Sequence, residues 1–141
     1  MLDAARDERV LTLLQESIDE YRSLYEGPQG TALESVAPYL VQLQKDSRLL
    51  GALVQEGWGN HWGIYFTSSA SFIEVRRHLR KFLMIELEGD PGRFYFRFYD
   101  PRVLHSFLPT CSAEQRKDFF GPIARLFYET REKPGIVALT A

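Results

Sequence analysis

A chain of 141 residues, 45% hydrophobic and 26% charged, has the make-up of one globular domain, and such a domain buries about two-thirds of the surface its unfolded form exposes. The net charge of −2 argues against a nucleic-acid binder that works by bulk charge, and no apolar run is long enough to span a bilayer. Cys111 is the only cysteine, so no internal disulfide can form; with no charged start followed by an apolar stretch to serve as a leader, a reducing, cytoplasmic setting is expected.

In chain order, Asp7 is placed to cap a first helix with Val10, Leu11 and Leu14 on one face and Ile18 extending the stripe. Gly27-Pro28-Gln29-Gly30 reads as a turn-rich loop, and it lacks the Gly-Lys-Ser/Thr ending of a phosphate loop. Residues 37–43 form a short apolar segment opened by Pro38, where a strand begins. Asp46 or Ser47 then caps a helix that turns Leu49, Leu50, Leu53 and Val54 inward and stops at Gly57. Residues 58–66 pass through glycines into a strand rich in aromatic and β-branched residues. Ser71 and Glu74 make a capping box, in which serine and glutamate satisfy each other's backbone donors at a helix start. That helix carries Phe72, Val75, Leu79 and Phe82 inside and leaves Arg76, Arg77, Arg80 and Lys81 outside, near the end where the helix dipole favours cations.

Residues 82–99 read as a hairpin about Gly89-Asp90-Pro91-Gly92. Pairing Leu87 with Phe94, Ile85 with Phe96 and Leu83 with Phe98 makes one face apolar, and it sets Glu88 opposite Arg93. Asp100 is a favoured N-cap and Pro101 a tolerated first helical residue, so a helix carrying Val103, Leu104, Phe107 and Leu108 follows, with Pro109 near its end. Ser112 and Gln115 form a second capping box before a short helix that halts at Gly121-Pro122. Residues 123–128 and 136–139 are read as a closing strand pair about Glu132-Lys133-Pro134-Gly135, the first segment being equally compatible with a helix. Helices alternating with short strands define an α/β (or α+β) class: a single layered domain over residues 1–141, with a mixed β-sheet, a hairpin at about 82–99 and flanking helices.

Few residues suggest chemistry. Arg97, Asp100 and Arg102 form a carboxylate flanked by guanidinium groups, an arrangement able to bind an anion, but Asp100 is explained by capping and Arg97 by pairing with a nearby carboxylate. His61, His78 and His105 have no metal-ligand spacing, and Cys111 has no local nucleophile motif, so neither a metal, a cofactor nor catalysis is expected. Arg76 and Arg80 head a basic helix face that would suit phosphate or nucleic acid, yet on an acidic chain such a face is more often simply solvated. Trp58 and Trp62 belong to the residue types that anchor protein interfaces; Trp58, beside glycines at a helix end, is the one expected at the surface, while Trp62 suits interface and core equally. With His61, Arg76 and Arg80 they make up the candidate protein-binding set.

The run Phe96-Arg97-Phe98-Tyr99-Asp100-Pro101-Arg102-Val103-Leu104, then Phe107-Leu108-Pro109 and Phe119-Phe120-Gly121-Pro122, resembles the signature of the type VI secretion effector adaptors, the Tap/Tec-type chaperones grouped as a domain of unknown function. Leu2-Asp3-Ala4-Ala5-Arg6, Ala37-Pro38-Tyr39-Leu40-Val41, residues 57–63 and His78-Leu79-Arg80 extend the resemblance over nearly the whole chain. In that family the Leu-Asp-Ala motif closes a first strand, most of which is expected to be lacking here. The resemblance implies the family's N-terminal lobe, acting as a non-enzymatic bacterial cytoplasmic adaptor that binds a toxic effector and helps load it onto the VgrG-type spike. Arg97, Asp100, Pro101, Arg102, Phe120, Gly121 and Pro122 would then be motif residues with structural duties. The rival expectations are a small α/β hydrolase or nucleotide-handling enzyme, and a phosphate or nucleic-acid module using the basic helix at 72–82.

Overall fold

A computed structural model describes residues 1–87, 90–130 and 135–140. The first strand, β1 (Leu2–Asp3), is followed by α1 (Glu8–Glu16), where Asp7 accepts from the Arg9 N–H as the expected cap. Val10, Leu13 and Leu14 are buried, but the helix ends before Ile18, which is 71% exposed instead of extending the stripe. β2 (Glu20–Ser23) leads to α2 (Gly27–Ala32), a short helix where a loop was expected; Pro28 sits in its first turn, where a missing N–H does no harm. A single 3-10 turn (Glu34–Val36) precedes β3 (Pro38–Gln42). In α3 (Leu49–Gly57) the cap position falls on Arg48, while the Ser47 hydroxyl accepts from the Leu49 N–H at 3.0 Å. Leu49 and Leu53 face inward, whereas Leu50 and Val54, expected inside, are 44% and 46% exposed.

After β4 (Tyr65–Ser68), α4 (Phe72–Arg80) begins at the capping box of Ser71 and Glu74. The hairpin follows as β5 (Met84–Leu87) and β6 (Asp90–Tyr95). Its register differs from the expected one by two residues: Ile85 faces Phe94, Met84 faces Tyr95 and Glu86 faces Arg93, with an irregularity at Leu87. A slip of two preserves the alternation of sides, so hydrophobic patterning alone could not choose between the two registers. Phe94 is consequently 38% exposed, and Phe96 and Phe98 are buried beyond the strand's end. Glu88 and Gly89, on which the expected loop and the placing of Glu88 opposite Arg93 rested, lie outside the described residues. α5 (Pro101–Phe107) starts on Asp100 as expected, and α6 (Ala113–Phe120) on its capping box of Ser112 and Gln115. β7 (Ile123–Thr130) and β8 (Gly135–Thr140) close the chain as an antiparallel pair, which resolves the ambiguity of the first segment in favour of a strand.

The α/β class is therefore observed, but the expected mixed sheet is not: all pairs among the described residues are antiparallel, in the orders β1-β3-β2, β4-β7-β8 and β5-β6. The first two sheets meet edge to edge. Leu2 forms an antiparallel bridge with Gly63, Asp3 donates to the Trp62 carbonyl at 2.8 Å, and Ile64 donates to that of Met1 at 2.9 Å. The resulting surface runs β2-β3-β1-β4-β7-β8. A Cβ on Gly63 would lie 2.1 Å from the Met1 carbonyl oxygen, so this junction requires glycine.

Side chains alternate across strands, and the core is correspondingly divided. Tyr39 joins Val10, Leu14, Leu49, Leu53 and Trp62 of α1, α3 and the following loop on one face. Leu40, Ile64 and Leu126 join Val75, Leu79, Leu104 and Phe120 of α4, α5 and α6 on the other. Phe119 knits the second face together, its ring meeting those of Phe82, Phe98 and Phe107 edge-on at centroid distances of 5.2 to 5.9 Å.

Candidate functional site

The motif residues are engaged in holding the fold. Arg97 reaches across the chain to Asp3, whose carboxylate is buried and also accepts from the Ala5 N–H. Asp100 accepts from the Arg102 N–H at 2.9 Å while the Arg102 guanidinium grips both its oxygens, at 3.0 and 2.6 Å. Burial pushes the Asp100 carboxyl up, but the bonds and charge of Arg102 outweigh it and hold the group below the usual carboxylate range. Pro101 is buried at the start of α5, and Phe120 is fully buried. Gly121 ends α6 at φ +47°, beside the half-buried Pro122, and a Cβ there would lie 2.3 Å from the His78 ring. That ring is fixed in turn by Nε2, 2.8 Å from the Phe119 carbonyl, which it can approach only as a donor.

The candidate binding residues scatter. Trp62 is 5% exposed, packed against Gly57, where a Cβ would come 2.5 Å from its ring; this burial removes it from any surface set. Trp58 is half-buried and stacks on Tyr65 with centroids 6.4 Å apart. Arg76 and Arg80 are engaged by the β2–α2 connection: each makes a 2.7 Å ion pair with Glu26, and each donates to a backbone carbonyl, that of Ser23 or Leu24. Arg77 on α4 and Lys81 at its C-cap remain exposed.

His61 is the residue whose setting sequence reasoning missed. It sits at φ +58° in the loop between α3 and β4, and its Nδ1 lies 2.7 Å from Glu129 Oε1 without hydrogen-bond alignment. Glu129, buried on β7, accepts from the backbone N–H groups of Gly59 and His61, so one carboxylate closes the loop that carries Trp58. Gly59 and His61, at φ +88° and +58°, turn N–H groups two residues apart onto one anion, in the manner of the nests that left-handed backbone provides. Beside it, His61, Arg102, His105, Glu129 and Thr130 line a cleft of about 550 Å³. The three histidines showed no spacing in sequence because two of them, 44 positions apart (105 less 61), come to line one cleft only through tertiary folding. At Cys111 burial pushes the thiol pKa up, and Sγ lies 3.6 Å from the Phe107 carbonyl.

A second grouping lies on the Arg97 side. Tyr25, Tyr95 and Tyr99 line a groove of about 310 Å³ with Leu33, Val36 and Arg97. Tyr95 is 56% exposed, and Leu33 and Val36 are 43% and 44% exposed, so the groove is open and mostly apolar. Tyr25 meets Tyr95 edge-on at 5.8 Å, and burial, followed by the neighbouring Tyr95 and Tyr99 hydroxyls, raises its pKa. No signal in the sequence joined these tyrosines, since Tyr25 and Tyr95 are 70 positions apart (95 less 25).

Fold and site together define a small α/β protein with an antiparallel sheet surface covered by helices on both faces, whose Arg97–Asp3 and Arg102–Asp100 pairs are spent on architecture. The chain belongs to the DUF4123 family, described as a domain of unknown function, which it matches over residues 1–118. No curated protein and no solved structure matches it. Among the described residues, no helix is long and apolar enough to cross a membrane.

Proposed function

We propose that this protein is a non-enzymatic adaptor of type VI secretion, which holds an effector in the bacterial cytoplasm and helps place it on the VgrG-type spike. The observation that carries this reading is the open groove of Tyr25, Tyr95 and Tyr99 beside Arg97, flanked by exposed Leu33 and Val36. Tyrosine and arginine around an apolar centre are the composition of protein-interface anchors. The resemblance of the Phe96 to Leu104, Phe107 to Pro109 and Phe119 to Pro122 motifs to those of the adaptors supports the same reading. In this role the rigid domain works by surface complementarity, with no turnover.

The test is co-purification of the natural full-length protein with the effector and spike proteins encoded beside it. Capture of an effector is expected, with a loss on the order of tenfold or more in affinity for Tyr95→Asp, the scale of a central anchor. Trp58→Ala is the companion variant for the loop held by Glu129. Failure to retain either partner refutes the adaptor, and undiminished capture by Tyr95→Asp refutes the groove.

A second reading is favoured by the cleft at His61, Arg102, His105 and Glu129, whose mixture of imidazoles, guanidinium and carboxylate suits a small polar ligand. Chemical-shift changes confined to His61 and His105 on addition of a metabolite mixture would support it; unchanged shifts would remove it.

A further inference from the structure

The charges beside the tyrosine groove are layered. Arg97 pairs with Asp3, Arg102 grips Asp100, and the charge of the exposed Arg6 also reaches Asp100. Three guanidinium groups thus stand against two carboxylates, a net of +1 (3 less 2). The side chains of Arg97 and Arg102 are 42% and 34% exposed, whereas those of Asp3 and Asp100 are 1% and 4% exposed. Each pair therefore turns its positive end outward, and an ion arriving from solvent meets guanidinium first.

Arg97 is the member of this cluster that lines the groove. Its bond to Asp3 runs through Nη2, and its Cζ lies 6.0 Å from the centre of the Tyr99 ring, so the planar fork is fixed at one corner and along one face. Arginine has five N–H donors, and a fork held in this way keeps others for a second carboxylate. The Tyr25 hydroxyl feels those of Tyr95 and Tyr99, which gathers three phenols beside the cation. Leu33, Val36 and Tyr95 stand exposed around them, and Glu34, exposed in the same turn as Val36, puts a negative charge on the Leu33 side. The groove is polarised, with a cation at Arg97 and apolar surface between it and an anion.

We propose that this groove takes a segment of a partner protein in which one aspartate or glutamate is set among large apolar side chains, the carboxylate docking on Arg97 and the apolar groups on Tyr95, Leu33 and Val36. This rests on the reading of the groove as a protein-binding surface and adds the chemistry of what it binds. Charge complementarity selects the occupant. A wholly apolar segment would cover the donors of Arg97 without pairing them, which costs the full desolvation of a charged group. A basic segment would meet like charge at Arg97 and Arg6. An acidic residue at Arg97 satisfies the fork, keeps clear of Glu34, and leaves its apolar neighbours to the tyrosine and leucine surface.

The experiment titrates the natural full-length protein with acetylated, amidated peptides in which two leucines and a phenylalanine surround one central residue: glutamate, glutamine or lysine. Calorimetry gives affinity, and NMR follows the Arg97 side-chain N–H and the Tyr95 ring. The glutamate peptide is expected to shift both signals, the glutamine peptide to bind at least about tenfold more weakly, and the lysine peptide not to bind. Arg6→Glu, at an exposed position, should weaken the glutamate peptide by about three- to tenfold while leaving the glutamine peptide and Tm unchanged. Val36→Ser, on the apolar side, should weaken both peptides alike. Three results overturn the proposal: equal affinity for glutamate and glutamine, preference for lysine, or no shift at Arg97 and Tyr95 with any peptide. The groove itself fails by a different result, when an effector is captured undiminished by Tyr95→Asp, so the two failures are told apart.

Discussion

Replacing Glu129 with alanine tests how the loop between α3 and β4 is held. The carboxylate is 7% exposed and accepts from two backbone donors, those of Gly59 and His61, with the His61 ring 2.7 Å away. A charge-assisted hydrogen bond contributes about 1.5–3 kcal/mol, so two would account for roughly 3–6 kcal/mol if the donors were left dry. Gly59 is exposed and His61 only half-buried, so water replaces part of what is lost, and a cost of about 2–4 kcal/mol is expected. Glu129→Gln retains one acceptor and should cost about half as much. Urea unfolding followed by circular dichroism measures both, and the corresponding fall in Tm for Glu129→Ala is on the order of 6–12 °C for a domain of this size. Two local signals should move with stability: Trp58 fluorescence, and the ionisation of Tyr65, which burial and then the Glu129 charge push up to about 12 and which should therefore fall. A loss below about 1 kcal/mol in Glu129→Ala, or equal losses in the two variants, would refute the argument that these two bonds organise the loop.

Gly121→Ala meets both a positive φ of +47° and the His78 ring at 2.3 Å, so a loss of about 2–4 kcal/mol is expected in the same unfolding assay; adding His78→Ala should recover the steric part alone. Asp100 has its pKa lowered in the folded state, so its contribution is present above the unfolded value of about 3.9 and is lost as pH falls through the folded value; Asp100→Asn should keep the cap yet flatten the decline in Tm below about pH 5, and an unaltered profile would contradict this. Trp62→Ala should cost about 3–5 kcal/mol, whereas half-buried Trp58→Ala should cost about 1–2, and a reversed order would show that the wrong tryptophan has been placed in the core.

Capping chemistry and element type were legible from local sequence. Asp7, Ser71, Asp100 and Ser112 all accept from the helix starts they precede, because a cap is an interaction over two or three residues and needs no knowledge of the rest of the chain. The structural duty of Arg97 was also expected, but its partner was not: Asp3 lies 94 residues away. The hairpin's two-residue shift, the burial of Trp62 and the exposure of Ile18 fell outside local reasoning, since each depends on where a neighbouring element stops.

The same division governs the candidate sites. The sequence by itself determined the starts of α1, α4, α5 and α6 and the apolar stripe of α4, all set by contacts spanning a few residues. Only the tertiary structure decided that Arg76 and Arg80 serve Glu26, that Glu129 meets Gly59 and His61 and that three tyrosines share one groove. Those juxtapositions join residues tens of positions apart, and the free energy that selects them is the burial of two apolar faces of one sheet, a quantity that belongs to the assembled layers and to no single stretch of chain.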